Sequence, residues 1–388
     1  MAESVSKNEE IGTSVAAEEN GARVRPSPRP REGRRGFAVM ARSGIAAVLV
    51  ALAIGGFLVW RSVSDATAVP APWFGGYVDV TVVPQYPFDT PVDASAKNVM
   101  LAFVVAQAGQ SCTPSWGSTY GLDAAKTSLN LDERVARLRS NWGSIAVSFG
   151  GSVNSELADS CQDTVALEKA YKAVLDRYNP ATIDFDIEGA NLSDPAAWQR
   201  RATVIAALQK ERANAGKPLA VWLTLPVTPQ GLTDAGTSGV DEMLAAGVQL
   251  SGVNIMTMNY GSSRSPSQSM LDASLSAAQS THEQLSIIYQ RAGMPLESDQ
   301  VWKKMGLTPM IGRNDLPDEV FDIDAARGLN AFAHSKGITR VSMWSLNRDT
   351  SCPADSSDDS ASHICSGIDQ GGQRFSDILG AGFQGKLP

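Results

Sequence analysis

Apolar and polar positions between residues 73 and 345 repeat with two alternating periods. Short apolar or alternating runs predict strands at Trp73–Thr81, Val99–Ala106, Ser144–Phe149, Ala181–Gly189, Leu219–Leu225, Gly252–Tyr260, Gly306–Ile311 and Ile338–Ser345. Apolar residues at helical spacing, such as Leu131, Val135, Leu138 and Trp142, predict helices over about 131–142, 164–178, 195–213, 240–247, 268–291 and 319–336. Near-continuous apolar strands such as Val99–Ala106 suit parallel strands covered on both faces. Eight strands, mostly separated by helices, predict the α/β class and a closed (β/α)8 TIM barrel, in one domain over about 72–388.

One strand breaks the apolar rule. In an extended chain Asp184, Asp186 and Glu188 share a face, while Ile183, Phe185 and Ile187 take the other. Unpaired charge is costly to bury, so this strand is expected to carry an acidic site into the barrel.

The chain before the barrel has a different character. Residues 1–36 are polar, rich in Pro, Arg, Glu and Ser, and are expected to be a disordered cytoplasmic tail. Arginines then precede Gly44–Trp60, an uncharged run of 17 residues, so 37–61 is expected to be a membrane-targeting helix with 62–71 as a linker. Two outcomes stay open: an anchor spanning the membrane through 44–60, or a signal cleaved near Ala68. Either places the body outside the cytoplasm.

Residues 1–68 hold nine Lys/Arg and seven Asp/Glu, which leaves −10 of the total −8 on the remainder. That acidic body argues against nucleic acid as a partner. Four cysteines beyond the apolar run, Cys112, Cys161, Cys352 and Cys365, are expected to form two disulfides. The expected pairing is Cys112–Cys161 and Cys352–Cys365, because the second pair spans a short polar loop and the first flanks neighbouring βα units. No cysteine spacing matches a zinc site, and His282, His334 and His363 are scattered, so no metal or cofactor is expected.

Function in such a barrel sits at the C-terminal ends of the strands. That rule selects Asp184, Asp186 and Glu188, then Ser148 to Gly151, Met256 to Tyr260, Asn314, Asp315 and Trp344, with Trp116 in the loop after the second strand. Aromatic faces stack on sugar rings, and carboxylates move protons at a glycosidic oxygen.

Asp184-Phe-Asp-Ile-Glu188 resembles the D-x-D-x-E signature of family 18 glycoside hydrolases, the chitinase family, and Ser148-Phe-Gly-Gly151 resembles its S-x-G-G segment. Met256–Tyr260, Thr308–Gly312 and Met343-Trp344 resemble the branch containing an archaeal chitinase. Two departures stand out: Ala181 replaces a usual aspartate, and Met258-Asn259-Tyr260 stands where many members read M-x-Y-D. The tyrosine role is assigned to Tyr260, with Met258 as the other candidate.

The resemblance implies retaining hydrolysis of β-1,4-linked N-acetylglucosamine polymers or oligomers, with the substrate's acetamido group as nucleophile. It implies Glu188 as general acid and base, Asp186 as partner of the acetamido N–H, Asp184 as its support, Tyr260 on the acetamido oxygen and Trp344 beneath the sugar. Ser148, Met256, Asn259, Asp315 and Trp116 complete the expected substrate contacts. Like charge along the strand is expected to raise the Glu188 pKa. The alternatives are an endo-β-N-acetylglucosaminidase acting on glycoprotein glycans, and a carbohydrate-binding lectin without catalysis. Oligomeric state is not legible in the sequence.

Overall fold

A computed structural model of the chain describes residues 71–91, 95–353 and 361–388. The tail, the apolar run 44–60 and the linker up to residue 70 lie outside the described residues. Among the described residues no helix is long and apolar enough to cross a membrane.

Eight parallel strands close on themselves. In chain order β1 is Trp73–Phe74 with Gly76–Asp79, β2 Asn98–Gln107, β3 Ser144–Gly150, β4 Thr182–Asp186, β5 Ala220–Thr228, β6 Leu250–Met256, β7 Met305–Thr308 and β8 Arg340–Val341. Each pairs with its neighbours in sequence, and β1 closes the ring. Its first piece pairs with β8 through Trp73–Arg340, and its second with β2 through Gly76–Val99. This is the barrel that the periodicity predicted. Strands β6 to β8 end earlier than expected, at Met256, Thr308 and Val341.

Helices α1 Leu131–Ser140, α2 Thr164–Tyr178, α3 Pro195–Asn214, α5 Met270–Arg291 and α6 Ile323–Lys336 match the predicted ones within a few residues, whereas α4 Asp234–Ala245 starts six residues before its predicted place. Their starts are chemically specified. The Asp163 side chain accepts from the Val165 and Ala166 N–H groups, and Asp194, followed by Pro195, accepts from Ala196 and Ala197. Fourth-strand alternation works as expected: Ile183, Phe185 and Ile187 pack into the core between sheet and helices. Inside the barrel the lower layer is apolar, with the rings of Trp73 and Trp222 edge to face at 5.8 Å.

Several shorter elements were not foreseen, chief among them an added strand. After β2 the chain doubles back as an antiparallel strand, Gln110–Trp116, paired to β2 and followed by the short helix Leu122–Ser128. Both disulfides have the expected pairing, Cys112–Cys161 and Cys352–Cys365. The first ties this added strand to the segment after β3.

Candidate active site

Above the aromatic layer, the barrel interior is polar and organised around Asp184. Its carboxylate is fully buried and takes four donors: Tyr77 Oη at 2.8 Å and Ser148 Oγ at 2.8 Å on one oxygen, Thr224 Oγ1 at 2.7 Å and Arg340 at 2.7 Å on the other. Arg340 is equally buried and also donates to Tyr77 Oη at 2.9 Å and Ser342 Oγ at 3.0 Å. An unpaired charge here would cost several kcal/mol, and the ion pair with its surrounding donors removes that cost. Burial, then the Asp184 charge, raises the Tyr77 pKa, so the phenol keeps its proton and donates. Ser148 therefore acts through Asp184 rather than at the surface of the cleft.

Two residues up the strand, the side chains reach a cleft with about 690 Å3 of empty space. Asp186 and Glu188 enter it from β4 and the extended residues after it. Burial raises the Asp186 pKa first, then the charges of Glu188 and Asp184, and a hydrogen bond shared with Glu188 adds to this. Burial likewise pushes Glu188 up to about 7; the bond to Asp186 opposes this and the Asp315 charge assists it. Two carboxyl groups that share a hydrogen bond must share a proton, so the pair holds one near neutral pH. The Glu188 shift has the expected direction, but burial is its main cause rather than charge along the strand. Among the described residues Asp186 Oδ1, which is buried, has no hydrogen-bond partner.

The backbone crowds against this pair. Gly151 N–H donates to the Asp186 carbonyl at 2.9 Å, and a Cβ on Gly150 would lie 2.0 Å from that oxygen. Gly150 also has φ +105°, so only glycine fits this turn.

Trp344 lines the cleft and stacks on Phe103 with centroids 5.3 Å apart and planes at 19°. Met256, Asn259 and Asp315 line it too. Asn259 and Asp315 clasp each other: Asn259 Nδ2 donates to Asp315 Oδ2 at 2.7 Å, and Asp315 N–H donates to Asn259 Oδ1 at 3.1 Å.

Two further expected contacts, besides Ser148, are placed elsewhere. Tyr260 is turned away, with its hydroxyl 3.3 Å from Ser274 Oγ on α5, and Met258 lines the cleft in its stead. The reason is local: β6 ends at Met256, and Asn259 adopts φ +50°, which swings the next side chain off the strand's inward face. Trp116 is fully buried in the added strand, its Nε1–H donating to Tyr178 Oη at 3.0 Å behind the barrel wall. Sequence reasoning missed Tyr77, Thr224, Arg340 and His363. Arg340 carried a signal, because it shares strand parity with Trp344 and is the one charge in the predicted strand Ile338–Ser345.

Fold and site together define a (β/α)8 barrel with a proton-sharing carboxylate pair at the C-terminal mouth and an aromatic floor. No protein-family model matches the chain. The chain is 33% identical over 307 residues to a probable bifunctional chitinase/lysozyme of Escherichia coli (strain K12), covering 76% of this chain and 33% of that protein. It is 32% identical over 308 residues to Endochitinase 11 of Metarhizium anisopliae, covering 76% and 56%. The chain thus spans about a third and about half the length of these relatives. The catalytic domain of a hyperthermophilic chitinase from Pyrococcus furiosus superposes with a TM-score of 0.68 at 26% identity, covering 81% of this chain and 96% of that one. Catalytic-site mutants of active domain 2 of a Pyrococcus furiosus chitinase, complexed with chito-oligosaccharides, give 0.67 at 25%. The chain is thus similar to chitinases over three quarters of its length, and these relatives and structural neighbours are chitinases of glycoside hydrolase family 18.

Proposed function

We propose that this protein hydrolyses β-1,4-linked N-acetylglucosamine polymers or oligomers with retention of configuration, using the substrate's own acetamido group as nucleophile. The observation that carries the reading is the buried, partnerless Asp186 Oδ1 in the cleft wall beside a proton-sharing Glu188. A buried acceptor without a donor is costly, and the N–H of a 2-acetamido group supplies the missing partner. The chitinase names of the relatives and the chito-oligosaccharide complex of the Pyrococcus furiosus domain support the same substrate class.

In this reading the sugar rests on Trp344, and Glu188 gives its proton to the glycosidic oxygen as the bond to the anomeric carbon breaks. The acetamido oxygen, aligned by Asp186, bonds to that carbon and forms a cationic oxazolinium-type intermediate that the Asp186 charge stabilises. Glu188, now ionised, takes a proton from water as the water attacks, and the proton is restored. Asp184 and Arg340 hold Asp186 in register from below. With Tyr260 turned away, the acetamido oxygen meets Met258 and receives no tyrosine hydroxyl from β6.

We also propose that the body works outside the cytoplasm. Two formed disulfides favour an oxidising compartment. The test of function is incubation of residues 69–388 with defined chito-oligomers and with glycopeptides, each beside Glu188→Gln. Cleavage of the oligomers by the parent alone is expected. Cleavage of glycopeptides only would reassign the substrate, and equal cleavage by Glu188→Gln would remove Glu188 from the mechanism.

A further inference from the structure

We infer that His363, two residues before the disulfide-bonded Cys365, is part of a fixed wall of the substrate cleft and is a specificity-determining residue that hydrogen-bonds the bound sugar chain. The inference rests on the reading of this cleft as a site of glycan hydrolysis and adds a residue to it. Strand pattern and signature segments point only to strand ends, whereas His363 comes from a polar stretch some twenty residues beyond β8. It nonetheless lines the same cleft as Asp186, Glu188, Asp315 and Trp344.

The chain just after His363 is held in place on three sides. Cys365, two residues after His363, is bonded to Cys352. One residue further, the Ser366 carbonyl accepts from Arg313 N–H at 2.8 Å, and Ser366 N–H donates to the Thr350 carbonyl at 2.9 Å. The contact with the loop after β7 is close enough that a Cβ on Gly312 would fall 1.9 Å from the Ser366 carbonyl oxygen. Gly312 has φ +69°, so its lack of a side chain serves both the turn and the approach. Beneath, buried Ser366, Gln370 and Asp349 form a chain: Ser366 Oγ donates to Gln370 Oε1 at 2.8 Å, and Gln370 Nε2 donates to Asp349 Oδ1 at 3.2 Å.

These ties pre-order the backbone next to His363, so little freedom of that backbone remains to be lost when sugar binds. The imidazole is exposed in the cleft, and among the described residues it has no hydrogen-bond partner. It offers both a donor and an acceptor, which match the hydroxyl and acetamido groups of the proposed substrate. Because it sits on the wall and not on the Asp186–Glu188 pair, its contribution belongs to binding and not to proton transfer.

The test measures binding without turnover. Chito-oligomers are titrated calorimetrically into the Glu188→Gln protein, and into the same protein carrying His363→Ala, His363→Gln, or Cys352→Ser with Cys365→Ser. Losing a hydrogen bond predicts affinity about three- to tenfold weaker for His363→Ala. Recovery is expected in His363→Gln, which keeps a donor and an acceptor. The double cysteine variant is expected to weaken binding to a similar degree while its circular dichroism spectrum stays that of the parent. Unchanged affinity in His363→Ala overturns the inference while leaving the hydrolase reading intact. Absence of binding by the Glu188→Gln parent overturns both. In the active enzyme, His363→Ala is expected to raise KM without moving the pH profile of kcat; a shifted profile would place the residue in proton transfer and contradict the assignment.

Discussion

The Glu188 proton makes a stability prediction that is independent of any substrate. Burial lifts its pKa from 4.5 to about 7, so the unfolded chain ionises this group while the folded one still holds the proton. Between those values the folded state binds more protons, and stability therefore falls as pH rises. The contribution is fully present below about 4.5 and lost as pH passes through about 7. Integrating the difference gives a loss of about 3 kcal/mol at pH 8 and under about 1 kcal/mol at pH 5. Glu188→Gln removes the ionisation and keeps a donor for Asp186, since the amide N–H replaces the shared proton. Urea unfolding of both proteins at pH 5 and pH 8 is the assay. The variant is expected to gain about 2–3 kcal/mol on the parent between the two pH values. A gap that stays constant within about 0.5 kcal/mol, or that moves in favour of the parent, would refute the claim that Glu188 is held protonated by its site.

Three further outcomes are expected. In the parent, kcat/KM on chito-oligomers should fall about tenfold per pH unit above about 7, because the general acid is then ionised; a flat profile to pH 9 would mean another group supplies the proton. Arg340→Met leaves buried Asp184 without its counter-charge and should cost about 3–5 kcal/mol by urea unfolding, where a loss below about 1 kcal/mol would deny the ion pair its role. Tyr260→Phe removes one hydrogen bond to Ser274, so a stability change of about 1 kcal/mol is expected with kcat/KM within about threefold of the parent; a loss of about a hundredfold would return the tyrosine to the substrate.

The barrel was legible because its strands and helices differ in apolar period, and every barrel strand and every major helix but α4 lies close to its predicted place. The carboxylate strand was legible for the same reason: parity put Asp184, Asp186 and Glu188 on one face. Parity also explains the failure at β6. Met258 and Tyr260 are two residues apart and share a face in any extended chain, so only the left-handed backbone at Asn259 separates them, and an asparagine tolerates but does not announce that turn. Trp116 was misplaced because the strand that buries it runs antiparallel to the barrel and has a Pro in its middle, which reads as loop. His363 was out of reach, since its position depends on ties to residues some fifty positions away, at Arg313 and Gly312.

The central claim is that the substrate's acetamido group attacks from within the site and that Glu188 handles the proton. Proton NMR of a chito-oligomer digest, recorded within the first minutes of reaction, tests it most directly by reading the anomer of the new reducing end before mutarotation. The account predicts that the β-anomer forms first. First formation of the α-anomer would mean a single inverting displacement by water, and would contradict it.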